Sequence, residues 1–189
     1  RGDLILAGAI VVGQVLESGG LEALEVTEAG LREGVFFANH LSGDPPLFDD
    51  VRRQSVLNLA SWYDVDPPHT RHVAELALSV FDQLAAAGLH RGDANERELL
   101  WSAAVLHDIG MAIDYDDHHK HSRYLVLNSS LPGFSQREVA LIGQAVRYHR
   151  KGIPTLGPFA AVAQAGDLEI LTRCALFLRL AEDLERSRD

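Results

Sequence analysis

Apolar residues recur at intervals of three and four along most of the chain after residue 44, and this spacing constrains the fold most. Residues that far apart share one face of an α-helix, whereas a half-buried strand alternates apolar and polar positions. One such stripe consists of Val73, Leu76, Ala77, Val80, Phe81 and Leu84. Because strand-like alternation is not found there, residues 44–189 are predicted to form an all-α domain.

Glycine, proline and small polar residues mark where these helices begin and end. Asp66-Pro67-Pro68 opens the first long helix, since proline is tolerated in a helix's first turn. A second helix is predicted over about 96–109, with Gly110 just beyond its end. Further helices are predicted over about 118–129, 135–149 and 167–186.

The first forty-odd residues have a different pattern, which indicates helix, strand and helix. Leu4–Glu17 is an apolar helical stretch that ends at Ser18-Gly19-Gly20, and Leu24–Val26 is a short strand candidate. Thr27 is suited to cap a second helix that runs to about Leu41.

A turn-rich segment at 42–46 separates the two parts of the chain. We therefore predict a mainly α protein, in which a small α/β segment at 1–43 precedes the helical domain at 44–189. The chain begins at Arg1 rather than Met, so we expect it to be a piece of a longer protein.

Composition limits the partners and the compartment. Hydrophobic residues make up 47% and charged residues 23%, which is typical of a globular protein. A net charge of −10 argues against binding of duplex nucleic acid, so an anionic ligand would need a local basic cluster. The apolar run Leu4–Leu16 is too short for a membrane span, and the lone Cys174 fits a reducing cytoplasm.

The adjacent pair His107-Asp108, at the end of an apolar helix, is the strongest candidate for chemistry. A carboxylate at the negative end of a helix dipole is misplaced unless a cation lies nearby. A divalent metal ion would supply that cation, with the imidazole and the carboxylate as ligands. The pair alone is weak evidence, since His-Asp also occurs by chance.

Other helices also direct a histidine or an acid inward. His69 shares the face of Val73, although taken singly it is better explained as a satisfied core histidine than as a ligand. His149 continues the apolar face of its helix, and Glu182 faces inward on the last helix. Asp183, by contrast, shares a face with Arg179 and Arg186 that is predicted to be exposed. Three histidines open the helix after residue 117, and at least two of them are expected to be solvated: His118, His119 and His121.

Together these residues predict a shared metal site rather than several coincidences. Nitrogen and oxygen ligands without thiolates favour Mg²⁺ or Mn²⁺, with Fe or Zn²⁺ as alternatives. A local basic concentration follows the same histidines and would suit phosphate oxygens, although surface ion pairs would explain it too. It consists of Lys120, Arg123, Arg147, Arg150 and Lys151.

Three features resemble the HD superfamily of metal-dependent phosphohydrolases: HTRHV at 69–73, LHDIG at 106–110 and an acid late in the last helix. More narrowly, three segments resemble the C-terminal half of the exopolyphosphatase/guanosine-pentaphosphate phosphohydrolase (Ppx/GppA) family. They are HHKHSRYL at 118–125, LPGFS at 131–135 and RYHRK at 147–151. RGDLILAG at 1–8 and GLREG at 30–34 are similar to the closing segment of that family's second actin-like domain.

The resemblance implies roles for particular residues. His69, His107 and Asp108 match the superfamily's metal ligands, and His121 and His149 match positions that bind a second ion in two-metal relatives. The final ligand is usually Asp in the family, whereas Glu182 stands here. Most of the actin-like domains, which carry the family's polyphosphate-cleaving site, would precede Arg1.

Two functions follow from the resemblance, and a third interpretation stays open. The first is a cytoplasmic, exopolyphosphatase-like hydrolase in which metal-activated water, held by Asp108 and His107, attacks polyphosphate or a phosphorylated nucleotide. The second is a non-catalytic polyphosphate- or nucleotide-binding and dimerisation module, and a homodimer is expected in both cases. The third is a degenerate HD body whose histidines only fill the core.

Overall fold

The computed structural model describes residues 2–24, 30–40, 48–63 and 65–186, with side chains from residue 5 onward. The chain divides into two compact units, Arg1–Leu47 and Phe48–Asp189. All the regular elements of the described residues are helical, which agrees with a mainly α fold. None of these helices is both long and apolar enough to cross a membrane.

The first unit contains α1 at Gly2–Gly19 and α2 at Leu31–His40. Apolar side chains of α1 are largely exposed, and α2 has no buried residue. The predicted strand at 24–26 and the predicted cap at Thr27 fall mainly on residues 25–29, which lie outside the described part of the chain. The α/β character and the assignment of 1–43 to an actin-like domain therefore stay predictions.

Within residues 48–63 and 65–186, the second unit contains six α-helices and two short 3₁₀ helices. The α-helices are α3 at Val51–Tyr63, α4 at Pro67–Ala86, α5 at Ala94–Leu106, α6 at His118–Asn128, α7 at Gln136–Arg147 and α8 at Asp167–Arg186. The 3₁₀ helices are Ile109–Ala112 and Gly157–Ala161.

Side-chain caps explain where three of these helices begin. Asp66 accepts a hydrogen bond from the His69 amide at 3.2 Å, and two prolines occupy the first turn of α4. Asp93 caps α5 in the same way. Ser135 and Glu138 form a reciprocal capping box at the start of α7. The cap of α4 also fixes the backbone of His69, one of the predicted metal ligands.

The core lies where α4, α5, α7 and α8 pack together. Its largest fully buried apolar side chains are Phe81, Leu99, Leu100, Leu106, Ile109, Ile142, Leu171 and Leu178. Burial of each such side chain contributes about 1.5–3 kcal/mol. Arginine–carboxylate pairs at the edge of the core join distant helices, namely Arg173 with Glu96 and Arg137 with Asp167.

Gly110 has a different role from the one predicted from sequence. The helix α5 ends at Leu106, earlier than expected, and Gly110 lies in the following 3₁₀ helix without a positive φ. A Cβ at Gly110 would lie 2.3 Å from both the His118 carbonyl oxygen and the Ser122 amide nitrogen. Glycine is required here because the start of α6 packs directly against its backbone.

Candidate metal centre

Asp108 has histidine neighbours on both of its carboxylate oxygens. Its Oδ2 atom lies 3.3 Å from His107 Nε2 and 3.7 Å from His69 Nε2. Its Oδ1 atom lies 3.2 Å from His118 Nε2 and 3.6 Å from His149 Nε2. One carboxylate is therefore shared by two groups of ligand-type atoms.

The first group consists of His69, His107, Asp108 and Glu182, whose ligand atoms lie within 4.8 Å of one another. The Oε1 atom of Glu182 is 2.5 Å from His107 Nε2 and 3.2 Å from His69 Nε2. Glu182 is buried and Asp183 is exposed, as the helical spacing indicated. The extra methylene of Glu182 thus does not keep its carboxylate from the group.

The second group consists of Asp108, His118 and His149, again within 4.8 Å. The Nε2 atoms of the two histidines lie only 3.2 Å apart. His118 comes from the first turn of α6, and His149 follows the end of α7. Both rings are almost completely buried.

Hydrogen bonds on the far side of three rings orient them for ligation. The Nδ1 atoms of His107, His118 and His149 lie 2.7, 2.9 and 2.7 Å from the backbone carbonyl three residues earlier. An Nδ1–H that donates to a carbonyl leaves the lone pair of the neutral ring on Nε2, which faces Asp108. His69 is held similarly, because Glu185 Oε2 lies 3.2 Å from its Nδ1.

The arrangement fits a divalent cation. His107 Nε2 and Asp108 Oδ1 are buried without a hydrogen-bond partner in the described residues, although both have close polar neighbours. Two Nε2 lone pairs that face each other at 3.2 Å repel unless a proton or a metal ion lies between them. Ligand atoms that converge on a common point, rather than pairing with each other, are what an ion requires.

Without an ion, the charges of the cluster perturb several pKa values. Burial opposes protonation of His107, but Asp108 and Glu182 outweigh it and raise the pKa of His107 to about 10. Burial and the charge of His107 lower the pKa of His149 to about 3. Although burial works against it, the neighbouring histidines hold the pKa of Asp108 well below its usual value. One proton on His107 thus partly balances two buried carboxylates.

The structure does not bring His121 into either group, and His118 occupies the place expected for it. Helical side chains tilt toward the N-terminus, so the first residue of α6 lies nearest to Asp108. His121 begins about 4.5 Å further along the helix axis. The expectation that two of the three neighbouring histidines are solvated is wrong, since His118 and His119 are only 5% and 1% exposed.

His119 is a buried histidine that the sequence did not single out. Neither of its ring nitrogens has a hydrogen-bond partner within the described ranges. Burial and the positive charge of Arg147 lower its pKa to about 4, so the ring is neutral near pH 7. The positive charge of Lys151 acts on the pKa of His119 in the same direction.

Among the described residues, Asp108 forms its ion pairs with histidines and not with any of the five predicted phosphate-binding cations. Lys120 forms an ion pair with Asp117, and Arg150 and Lys151 are exposed. The Arg123 guanidinium lies 5.4 Å from the centre of the Phe159 ring, and Arg147 lies 5.6 Å from that of Tyr148. The Arg123 Nε atom is buried and has no hydrogen-bond partner among the residues that the structure describes.

Comparison with known proteins identifies the family. Residues 51–189 match the family profile described as "Ppx/GppA phosphatase, domain III". The chain belongs to the Ppx/GppA phosphatase family. The matched region contains every residue of both ligand groups.

Several Ppx/GppA relatives carry the name guanosine-5'-triphosphate,3'-diphosphate pyrophosphatase. One from Pseudoalteromonas translucida is 30% identical over 85% of this chain and 33% of its own length. Relatives from Vibrio atlanticus and Vibrio vulnificus are 28% and 29% identical, each over 95% of this chain and 34% of their own length. The chain thus spans about a third of the length of these curated relatives.

Proposed function

We propose that this chain forms the metal- and phosphate-binding helical part of a phosphohydrolase that cleaves phosphoanhydride bonds. The observation that carries the proposal is the sharing of Asp108 between two groups of buried ligand atoms. The proposed substrates are inorganic polyphosphate and a phosphorylated guanosine nucleotide of the kind in the relatives' name. The homodimer and the cytoplasmic location expected from the sequence stay predictions.

The roles of the residues follow from their positions. His69, His107, Asp108 and Glu182 would hold one ion, and Asp108, His118 and His149 a second. Bound divalent ions would lower the pKa of an attacking water and neutralise phosphate charge. Asp108, which is shared by the two groups, would hold the ions and position the attacking water together with His107.

The ligand set narrows the choice of metal. Imidazole nitrogen is a preferred ligand for Zn²⁺ and Fe²⁺, whereas Mg²⁺ is usually bound by oxygen alone. Each group contains two histidines, which favours Mn²⁺, Fe²⁺ or Zn²⁺ over Mg²⁺, whereas the sequence led us to expect Mg²⁺ or Mn²⁺ first. Mn²⁺, which binds carboxylates well, suits the two acids of the first group best.

The basic residues would receive the phosphate chain. Arg147, Arg150 and Lys151 lie at or just beyond the end of α7, on either side of the ligand His149. Arg123 and Lys120 lie on α6, which carries His118. Cations next to a metal site can hold phosphate oxygens in place, arginine by two parallel hydrogen bonds.

Metal analysis of the purified chain, dialysed against Mn²⁺, tests the metal site. We expect stoichiometric metal in the wild type, a large loss in Asp108→Asn, and no loss in the matched variant Asp183→Asn, whose carboxylate is exposed. Asparagine has the same size as aspartate, so we expect Asp108→Asn to fold. Circular dichroism checks that it does. A wild-type protein without bound Mn²⁺ would rule out the metal site.

Phosphate release tests catalysis by the same proteins. Polyphosphate and guanosine pentaphosphate are supplied with Mn²⁺, and released phosphate or pyrophosphate is measured. Release by the wild type and its loss in Asp108→Asn would support hydrolysis at this site. Undiminished release by Asp108→Asn would place the reaction elsewhere.

A binding module is the second function, because several cations near the site are exposed and not used by the ligand groups. The double variant Arg147→Ala, Arg150→Ala should then weaken polyphosphate binding while bound Mn²⁺ is unchanged. Binding of polyphosphate by the wild type without any release of phosphate would favour this function over hydrolysis by this chain.

A further inference from the structure

Arg179 on α8 binds the two residues that flank the short segment 149–151. Its Nε atom donates to the Tyr148 carbonyl at 2.6 Å, and its Nη2 atom donates to the Gly152 carbonyl at 2.5 Å. Helical spacing placed Arg179 on the same face as Asp183, which predicted an exposed side chain. Instead its guanidinium is partly buried against the chain that follows α7.

The segment 149–151 carries three residues of the proposed site. It contains the ligand His149 and two of the proposed phosphate-binding cations, Arg150 and Lys151. Gly152, with φ of 89°, lies in a bend directly after it. The Tyr148 and Gly152 carbonyls lie beyond the end of α7 at Arg147, so a hydrogen bond to either of them comes from outside that helix. Arg179 supplies both hydrogen bonds.

The same turn of α8 contributes to the first ligand group. Glu182 follows Arg179 by three residues, so the two side chains project to neighbouring positions on the helix. Glu182 contacts His69 and His107, whereas Arg179 holds the segment with His149. A single helical turn therefore sets the position of residues on both sides of Asp108.

We infer that Arg179 is a positioning residue, which holds His149 in the second ligand group and Arg150 and Lys151 beside it. This inference rests on the proposed function. A planar guanidinium can donate from Nε and Nη2 to two separate carbonyls at fixed angles, which the point charge of lysine cannot reproduce. Its positive charge also lies favourably at the negative end of α7.

The test compares Arg179→Gln and Arg179→Lys with Arg173→Gln. Arg173 is a matched control because it lies on α8 too, makes two hydrogen bonds to one buried carboxylate, Glu96, and touches neither ligand group. After dialysis against Mn²⁺, we expect two ions per chain in the wild type and in Arg173→Gln, and one in Arg179→Gln. Arg179→Lys should bind the second ion with an intermediate affinity.

Amide hydrogen exchange of the EDTA-treated proteins gives a readout that needs no metal. Loss of two hydrogen bonds should speed exchange around residues 148–152 by about tenfold or more in Arg179→Gln. Arg173→Gln should leave that segment as it is in the wild type. A protein in which Arg179 is only generally stabilising would show similar changes in both variants.

The outcomes separate the inference from the proposed function. Equal Mn²⁺ stoichiometry and unchanged exchange in Arg179→Gln would overturn the role of Arg179, while the metal site would stand. A wild-type chain that binds no Mn²⁺ would overturn the proposed function. In that case the exchange of 148–152 alone decides whether Arg179 holds the segment.

Discussion

Glu182 Oε1 lies 2.5 Å from His107 Nε2, although the two residues are 75 positions apart, one on α8 and the other just after the end of α5. This contact brings together an acid from the last helix and the histidine of the His-Asp pair. It also explains how a glutamate takes part where the resemblance implied an aspartate. The longer side chain reaches the same group of atoms.

The length of Glu182 should therefore matter for metal affinity. Glu182→Gln removes the charge and is expected to weaken Mn²⁺ binding by at least about tenfold, since loss of one well-placed interaction of about 1.4 kcal/mol has that effect. Glu182→Asp keeps the charge but withdraws it by one methylene, so a smaller loss is expected. Titration calorimetry measures both. Binding by Glu182→Gln equal to that of Asp183→Asn would show that Glu182 is not a ligand.

The choice between His118 and His121 gives a second prediction. His118 lies 3.2 Å from both Asp108 Oδ1 and His149 Nε2, whereas His121 belongs to neither ligand group. We expect His118→Ala to lose one of two Mn²⁺ ions, and His121→Ala to keep both. Metal analysis of the two variants, which differ by three positions on one helix, provides its own control. The reverse result would favour the ligand implied by the family resemblance.

The choice between His118 and His121 also shows how far the site could be predicted from the sequence. The spacing of three and four indicated the helices, and it directed His149 and Glu182 toward the interior, where both are buried. It could not separate His118 from His121, because that choice depends on how the first turn of α6 packs against the backbone at Gly110. The start of α6 is set by the turn at Asp117, with φ of 56°, and by its packing on Gly110.

Contacts to backbone atoms could not be predicted from the sequence, for a different reason. Arg179 binds two carbonyl groups, and carbonyls are present at every residue, so no residue type marks its partners. The same holds for the carbonyls that orient the Nδ1 atoms of His107, His118 and His149. Such contacts arise only when the helices are placed in three dimensions.

Close packing at Gly110 gives a third prediction. A methyl group there would meet the His118 carbonyl and the Ser122 amide at 2.3 Å, and both are backbone atoms that cannot move alone. Gly110→Ala should shift the start of α6 and lower the free energy of unfolding by about 1–3 kcal/mol. It should also lower the affinity for the second Mn²⁺ ion. Urea denaturation and metal analysis measure the two effects.

A glycine without neighbours provides the control for that substitution. Gly34 lies within α2, and a Cβ there would meet nothing within 4 Å. Gly34→Ala should leave metal binding unchanged and should not lower stability, since alanine favours the helix. If Gly110→Ala bound two ions with wild-type stability, the packing of α6 on this turn would not control the site.

The buried carboxylate of Asp167 predicts how stability depends on pH. Burial alone would raise its pKa, but Arg137 and the Gln164 amide outweigh it and hold the pKa of Asp167 below its usual value. The unfolded chain then binds a proton at a higher pH than the folded chain does. This contribution to stability is complete above pH of about 5, and it is lost as the pH falls through the folded pKa.

Asp167→Asn should remove that contribution. We expect a loss of about 1.5–3 kcal/mol in the free energy of unfolding at pH 7, which is typical for hydrogen bonds to a charged group. The difference from the wild type should shrink as the pH is lowered from 5 to 3, because the wild type then loses the same charge. Glu169→Gln is the control, since its carboxylate is on the first turn of the same helix but is 80% exposed. Urea denaturation at several pH values measures all three proteins, and a difference between Asp167→Asn and the wild type that stays constant with pH would contradict the assignment.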